Sequence, residues 1–142
     1  MTLVHHVSAR SNCRRRKVGA VLVSERAVVS TGYNGTPAGV TNCIDDGCPR
    51  CASDALPWEE YDSCVCVHAE INAVLLAARR GSPTGGASLY TEVRPCLSCL
   101  KELLQAGIVE IVFEKDFQYS NDREATYQRL ITESGVHLRK PV

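Results

Sequence analysis

The chain has 142 residues and a mass of 15.5 kDa, enough for one domain over residues 1–142 with a full core and too little for two. Lys plus Arg is 16 and Asp plus Glu is 16, so the net charge is zero, which argues against a general nucleic-acid coat or a polybasic membrane anchor. Hydrophobic content, at 44%, is ordinary for a globular protein; the outlier is cysteine, at eight residues.

Met1-Thr2-Leu3-Val4-His5-His6 shows no basic start followed by an apolar stretch, so no signal peptide is expected. The longest nearly apolar runs, Val18 to Val23 and Ile71 to Ala78, are too short to span a bilayer. A cytoplasmic location is the expectation, with thiols kept reduced. Leu3 to Cys13 reads as the end of a helix. Val18 to Val23 is a continuous apolar run, as in a strand covered on both faces. Ala27 to Tyr33 is a second strand, joined by the tight turn Ser24-Glu25-Arg26. Residues 34–65 carry Gly, Pro, Asp and four cysteines without periodicity, a loop that needs something to tie it down. Val67 to Arg80 is a helix with Ile71, Val74, Leu75 and Ala78 on its apolar face, ended by Gly81 and Pro83. Ala87 to Thr91 is a strand. Cys96 to Ala106 is a helix opened by Pro95 and closed by Gly107. Ile108 to Phe113 is a strand, Asp122 to Glu133 a helix capped by Asn121 or Asp122, and Val136 to Arg139 a short last strand. Alternation of helix and strand after residue 66 implies a layered α/β domain.

Eight cysteines in a reducing compartment point to metal or catalysis rather than to disulfides. Three close pairs support this: Cys48 and Cys51, Cys64 and Cys66, Cys96 and Cys99. His68-Ala69-Glu70 opens one helix, and Pro95-Cys96-Leu97-Ser98-Cys99 opens another. Two thiols one turn apart at a helix N-terminus point the same way, and the helix dipole favours their thiolate forms. His68 adds a third ligand. Three protein ligands leave the fourth tetrahedral position open, which is the catalytic pattern of zinc rather than the structural one. Glu70 stands two residues from the ligand, where a carboxyl can exchange protons with the open position without binding the metal.

The combined pattern, H-x-E followed by P-C-x-x-C, resembles the signature of the zinc-dependent nucleobase deaminases. Within that cytidine deaminase superfamily the chain is similar to the deoxycytidylate (dCMP) deaminases. Cys13-Arg-Arg-Arg-Lys-Val-Gly-Ala-Val-Leu-Val23 and Ser30-Thr-Gly-Tyr-Asn-Gly-Thr-Pro-Ala-Gly39 carry this narrower likeness. So do Asn42-Cys43, Gly47-Cys48, Val67-His-Ala-Glu-Ile-Asn-Ala73 and Leu104-Gln-Ala-Gly-Ile108. The resemblance implies a three-layer α-β-α sandwich around a mixed five-stranded sheet, with a cysteine-rich insertion at about residues 34–65. It implies hydrolytic deamination of a free cytosine nucleotide, most simply dCMP to dUMP and ammonia.

By the same resemblance, His68, Cys96 and Cys99 match the catalytic zinc ligands and Glu70 the proton shuttle. Ala69 matches the residue whose backbone N–H holds the pyrimidine O2, Asn34 a residue that contacts the sugar, and Tyr119 a tyrosine that closes over the nucleotide. Some family members hold a second, structural zinc. Cys13, Cys43 and Cys66 match three of its ligands, with one of Cys48, Cys51 and Cys64 as the fourth. The set Cys43, Cys48, Cys51 and Cys64 is an alternative. Arg15 and Arg16, in the densest cationic run, are candidates for the substrate phosphate. A homo-oligomer is implied, with dCTP and dTTP as possible allosteric effectors and neither nucleic acid nor membrane as partner. Two departures stand out: a short first helix, and Glu92 where a threonine is usual, an acid expected near the substrate mouth.

Two other readings remain open. One is a deaminase of another pyrimidine nucleotide, nucleoside or base on the same fold. The other is a zinc-stabilised binding module without catalysis, which would have no use for Glu70.

Overall fold

The apolar run ahead of the first turn becomes the centre of the antiparallel half of a sheet. β1 (Gly19–Ser24) and β2 (Ala27–Tyr33) are separated only by Glu25 and Arg26. Both turn residues have positive φ, 50° and 65°, the backbone that a two-residue hairpin requires. The computed structural model describes residues 1–56, 63–120 and 122–142. Asn121, one of the two caps expected for the last helix, lies outside the described residues.

β3 (Ser88–Val93), β4 (Glu110–Lys115) and β5 (His137–Arg139) complete a five-stranded sheet in the order β2-β1-β3-β4-β5. β1 runs antiparallel to β2 and β3, while β3, β4 and β5 run parallel. The sheet is mixed, as the resemblance implied. The helices are α1 (Thr2–Ser8), α2 (Pro49–Ala52), α3 (Ala69–Arg79), α4 (Leu97–Gln105) and α5 (Asp122–Ser134). None of the described helices is long and apolar enough to cross a membrane.

Two glycines assign the helices to faces. A Cβ on Gly19 would lie 2.3 Å from the Val4 carbonyl of α1, and one on Gly32 would lie 2.1 Å from the Ala69 carbonyl of α3. Gly32 pairs with Ala20, the neighbour of Gly19, so the two glycines point to opposite faces. α1 therefore covers one face. α3, α4 and α5 cover the other, where Ala73, Leu100, Leu103 and Tyr127 share a core with Leu22, Leu89 and Ile111.

The buried face of α3 differs from the expected one. Ala69, Ala73 and Ala77 are fully buried, Ile71 and Val74 are half-buried, and Leu75 and Ala78 are exposed. Size rather than hydropathy decides this face. The helix lies so close to Gly32 that only alanine fits against it. Gly32→Ala is expected to destabilise by roughly 2 kcal/mol or more, because the clash is with backbone that cannot swing aside. Gly85→Ala, where a Cβ meets nothing within 4 Å, should be near neutral. Urea unfolding midpoints of the two variants check the contrast.

α1 ends at Ser8 rather than near Cys13. The Ser8 hydroxyl donates back to the His5 carbonyl, and the Ser11 hydroxyl is taken by the Asn34 carbonyl and Oδ1, both at 2.7 Å. That contact turns the chain out of the helix. The segment expected as a long loop contains a 3-10 turn at Cys43–Asp45 and the single-turn α2.

Candidate active site

The starts of α3 and α4 converge on one face of the sheet. His68 is the extended residue before α3, with φ −73° and ψ 154°. It is held there because Val67 donates to the Gly35 carbonyl at 2.8 Å and accepts from the Gly35 N–H at 3.2 Å. Cys96 occupies the same position before α4, and its sulfur accepts the Cys99 N–H at 3.5 Å. The His68 Nδ1 lies 3.2 Å from Cys99 Sγ and 3.6 Å from Cys96 Sγ. All three donor atoms fall within 4.8 Å of one another. One imidazole nitrogen and two thiol sulfurs at this spacing fit zinc, with a coordination position left for water.

The electrostatics of the site are consistent with that use. A hydrogen bond from Cys99 brings Cys96 down to about 4, against the opposing effect of burial and with help from His68. Cys99, the protonated partner, is pushed up by the same hydrogen bond and by burial. His68 is raised by the Cys96 thiolate. Glu70, in the first turn of α3 and 5% exposed, is pushed up to about 7 by burial, which the positive charge at His68 only partly offsets. A carboxyl poised there can both take and give a proton near neutrality. A groove of about 270 Å³ runs beside the cluster, lined in part by Cys66, His68, Ile71 and Cys99.

The other expected residues fall in different places. Ala69 is buried in the first turn of α3, beside His68. Tyr119 accepts the Leu97 N–H at 2.8 Å through its hydroxyl, so it caps α4 next to Cys96. Asn34 acts as a latch: its Oδ1 accepts from the Val18 N–H at 2.8 Å and from Ser11, and its Nδ2 donates to the Arg16 carbonyl at 2.8 Å. The Arg15 guanidinium donates to the Ser53 and Ala55 carbonyls, both at 2.6 Å, so it binds the cysteine-rich segment rather than open space. The Arg16 side chain is exposed. Glu92, expected near the substrate mouth, does not line the groove beside the donor set. It points to the α1 face of the sheet, where its carboxylate accepts the Gly19 N–H at 2.7 Å and the Ser8 hydroxyl at 3.3 Å.

The six remaining cysteines come together. Cys13, Cys43, Cys51 and Cys66 form one group with sulfurs within 4.8 Å of one another, and Cys48, Cys51, Cys64 and Cys66 form another. The fourth partner of Cys13, Cys43 and Cys66 is thus Cys51. The alternative set Cys43, Cys48, Cys51 and Cys64 is not brought together as a tetrad.

Sequence reasoning missed Arg94. Its side chain is 4% exposed, donates to the Phe117 carbonyl, pairs with Glu124 at 2.8 Å and lies 3.8 Å from the centre of the Tyr127 ring. Tyr127 in turn donates to the Pro95 carbonyl at 3.0 Å. The turn that presents Cys96 is fixed by these contacts. The only signal was position, since Arg94 directly precedes Pro95-Cys96.

Residues 1–115 match the family described as the cytidine and deoxycytidylate deaminase zinc-binding region. The chain is 42% identical to a deoxycytidylate deaminase of Schizosaccharomyces pombe over 99% of its own length and 42% of that protein. It is 40% identical to the Saccharomyces cerevisiae deoxycytidylate deaminase, again over 99% of its own length and 43% of that protein. It therefore spans less than half the length of these two curated relatives. A third deoxycytidylate deaminase, of Mycobacterium phage D29, is 45% identical over 75% of this chain and 84% of its own. Among solved structures, a dCMP deaminase of cyanophage S-TIM5 in complex with dCMP and dUMP superposes with a TM-score of 0.74 at 28% identity. That likeness covers 99% of this chain and 92% of the cyanophage one.

Proposed function

The chain belongs to the cytidine and deoxycytidylate deaminase family, and from that premise we propose that it converts dCMP and water to dUMP and ammonia. The observation that carries the reading is a buried carboxyl, Glu70, in the first turn of α3, two residues from His68 and near enough for the charges at His68 and Cys96 to act on it. The deoxycytidylate deaminase relatives and the dCMP complex of the cyanophage enzyme support the choice of substrate.

Zinc held by His68, Cys96 and Cys99 would supply a Lewis acid that makes water nucleophilic near neutral pH. Glu70 takes a proton from the attacking water and delivers it to N3 of the pyrimidine. As the bond from C4 to the amino nitrogen breaks, Glu70 carries the second proton to the departing amine, so ammonia leaves neutral. In this reading the backbone N–H of Ala69 holds the pyrimidine O2, and Tyr119, whose hydroxyl accepts the Leu97 N–H at the start of α4, closes over the nucleotide. Asn34 serves mainly to hold the segment that carries Arg16. The reading extends to a homo-oligomer and to dCTP and dTTP as effectors, which sedimentation and rate measurements with each nucleotide test.

The deciding experiment is ammonia release from dCMP, CMP, deoxycytidine and cytosine. dCMP is expected to give the highest kcat/KM. Equal values for dCMP and deoxycytidine would overturn the nucleotide assignment, and no release from any of the four would favour a binding module. The two arginines should separate. A charge-assisted contact contributes roughly 1.5–3 kcal/mol, so Arg16→Ala should lower kcat/KM for dCMP about tenfold to a hundredfold and leave deoxycytidine little changed. Arg15→Ala should affect both substrates alike, because its guanidinium holds the Ser53 and Ala55 carbonyls. A uniform loss in Arg16→Ala would remove it from phosphate binding.

A further inference from the structure

We propose that the six cysteines outside the active site hold two zinc ions in one binuclear cluster, with Cys51 and Cys66 as bridging thiolates. Cys13 and Cys43 would complete one metal, and Cys48 and Cys64 the other. A single structural zinc, as the resemblance implied, would use four of the six.

The argument rests on how the two tetrads overlap. Each consists of four sulfurs within 4.8 Å of one another, and the two share Cys51 and Cys66. Tetrahedral zinc with Zn–S bonds of about 2.3 Å sets its sulfurs roughly 3.8 Å apart. Cys48 and Cys64, the outer pair of the second tetrad, are at 3.9 Å. None of the six is in a disulfide. Cys43 and Cys48 are fully buried, and Cys13, Cys51 and Cys66 nearly so. These cysteines pack against one another as a core of their own, separate from the apolar core of the sheet. Among the described residues this cluster is sulfur alone, which makes a poor hydrophobic core and a complete ligand shell.

Electrostatics favours the second ion. One dication in four thiolates and two dications in six leave the same residual charge, so the second ion admits two more thiolates without adding charge to be screened. With one zinc in the first tetrad, Cys48 and Cys64 would remain as a thiol pair against an already anionic site. The surrounding backbone is suited to an anionic cluster: the Arg14 N–H points at Cys43 Sγ, 3.4 Å away.

Metal counting on the reduced, desalted protein tests the proposal. Two zinc ions per chain are expected beyond any that is lost in a His68→Ala/Cys99→Ala variant. Cys48→Ala/Cys64→Ala should lose one of the two, because Cys13, Cys43, Cys51 and Cys66 still form a complete shell. Cys66→Ala should lose both. Cadmium-113 exchanged into the unmutated protein keeps the test independent of how the variants fold: two all-sulfur resonances with mutual coupling through shared thiolates are expected. One all-sulfur resonance, or two without coupling, overturns the binuclear cluster. The cadmium result does not depend on turnover, so failure of the deaminase reading and failure of this one are distinguishable.

Discussion

Glu70→Gln is expected to lower kcat for dCMP by about a thousandfold while zinc content and the unfolding midpoint stay at the parent values. Glutamine has the shape of the side chain it replaces and can keep its contacts. It cannot accept the proton of water or release one to N3. Burial holds the Glu70 carboxyl up to about 7, which means that the fold disfavours its charged form. A neutral amide meets no such penalty, so the variant should be no less stable than the parent at pH 7. Metal analysis, thermal unfolding and ammonia release on the same preparation separate the possible roles. Activity within tenfold of the parent removes Glu70 from the mechanism. Loss of zinc would make it a structural residue instead.

Arg94→Ala is expected to cost about 3–5 kcal/mol of stability. The guanidinium is buried, and its removal leaves the Glu124 carboxylate without its cation and the Phe117 carbonyl without a donor. The same pair predicts a pH dependence. Arg94, with Gln128 and the Tyr119 N–H, pulls Glu124 down to about 2 from an ordinary 4.5. A depressed carboxyl contributes stability that is present above its unfolded value and lost as pH falls toward its folded one. The window therefore runs from about pH 4.5 down to about pH 2, with a total on the order of 3 kcal/mol. Urea unfolding of the parent at pH 7, 4 and 3 should show this loss. Glu124→Gln should start lower at pH 7 and fall less across the same range. Parallel curves for the two proteins would show that the ion pair contributes nothing.

The metal motif was legible in the sequence because its information is local. His68 and Glu70 are two residues apart, Cys96 and Cys99 three, and each pair needs only a helix start to present its side chains together. The hairpin was legible for the same reason. What local pattern could not show was distance between elements. Hydropathy along α3 favoured Leu75, but the approach of Gly32 selects small side chains, and leucine faces outward. The spacing of the cysteines showed close pairs without showing the grouping, because Cys13 meets Cys51 only after the sheet and the segment between residues 34 and 65 are both in place. Asn34 and Arg15 were legible as polar residues near a site. Their work as a latch and a strap depends on carbonyl groups that carry no residue-specific signal. Glu92 was expected near a substrate mouth because it was read against a motif; the alternation of β3 turns it to the α1 face instead.

Only Val67 separates Cys66 from His68. That stretch is extended, so the two Cα atoms are at most about 7 Å apart. The middle residue is clamped to Gly35 through both its N–H and its carbonyl. The chain has no slack there. A cysteine cluster that tilts or collapses must drag the imidazole with it, since no flexible joint lies between them to absorb the motion. Reactive geometry tolerates little of this: a displacement of about 1 Å can cost roughly a hundredfold in rate. Mechanically, the cysteine cluster is the anvil on which His68 is set, and the dimensional tolerance of the His68, Cys96 and Cys99 donor set is inherited from the neighbouring cysteine-rich segment.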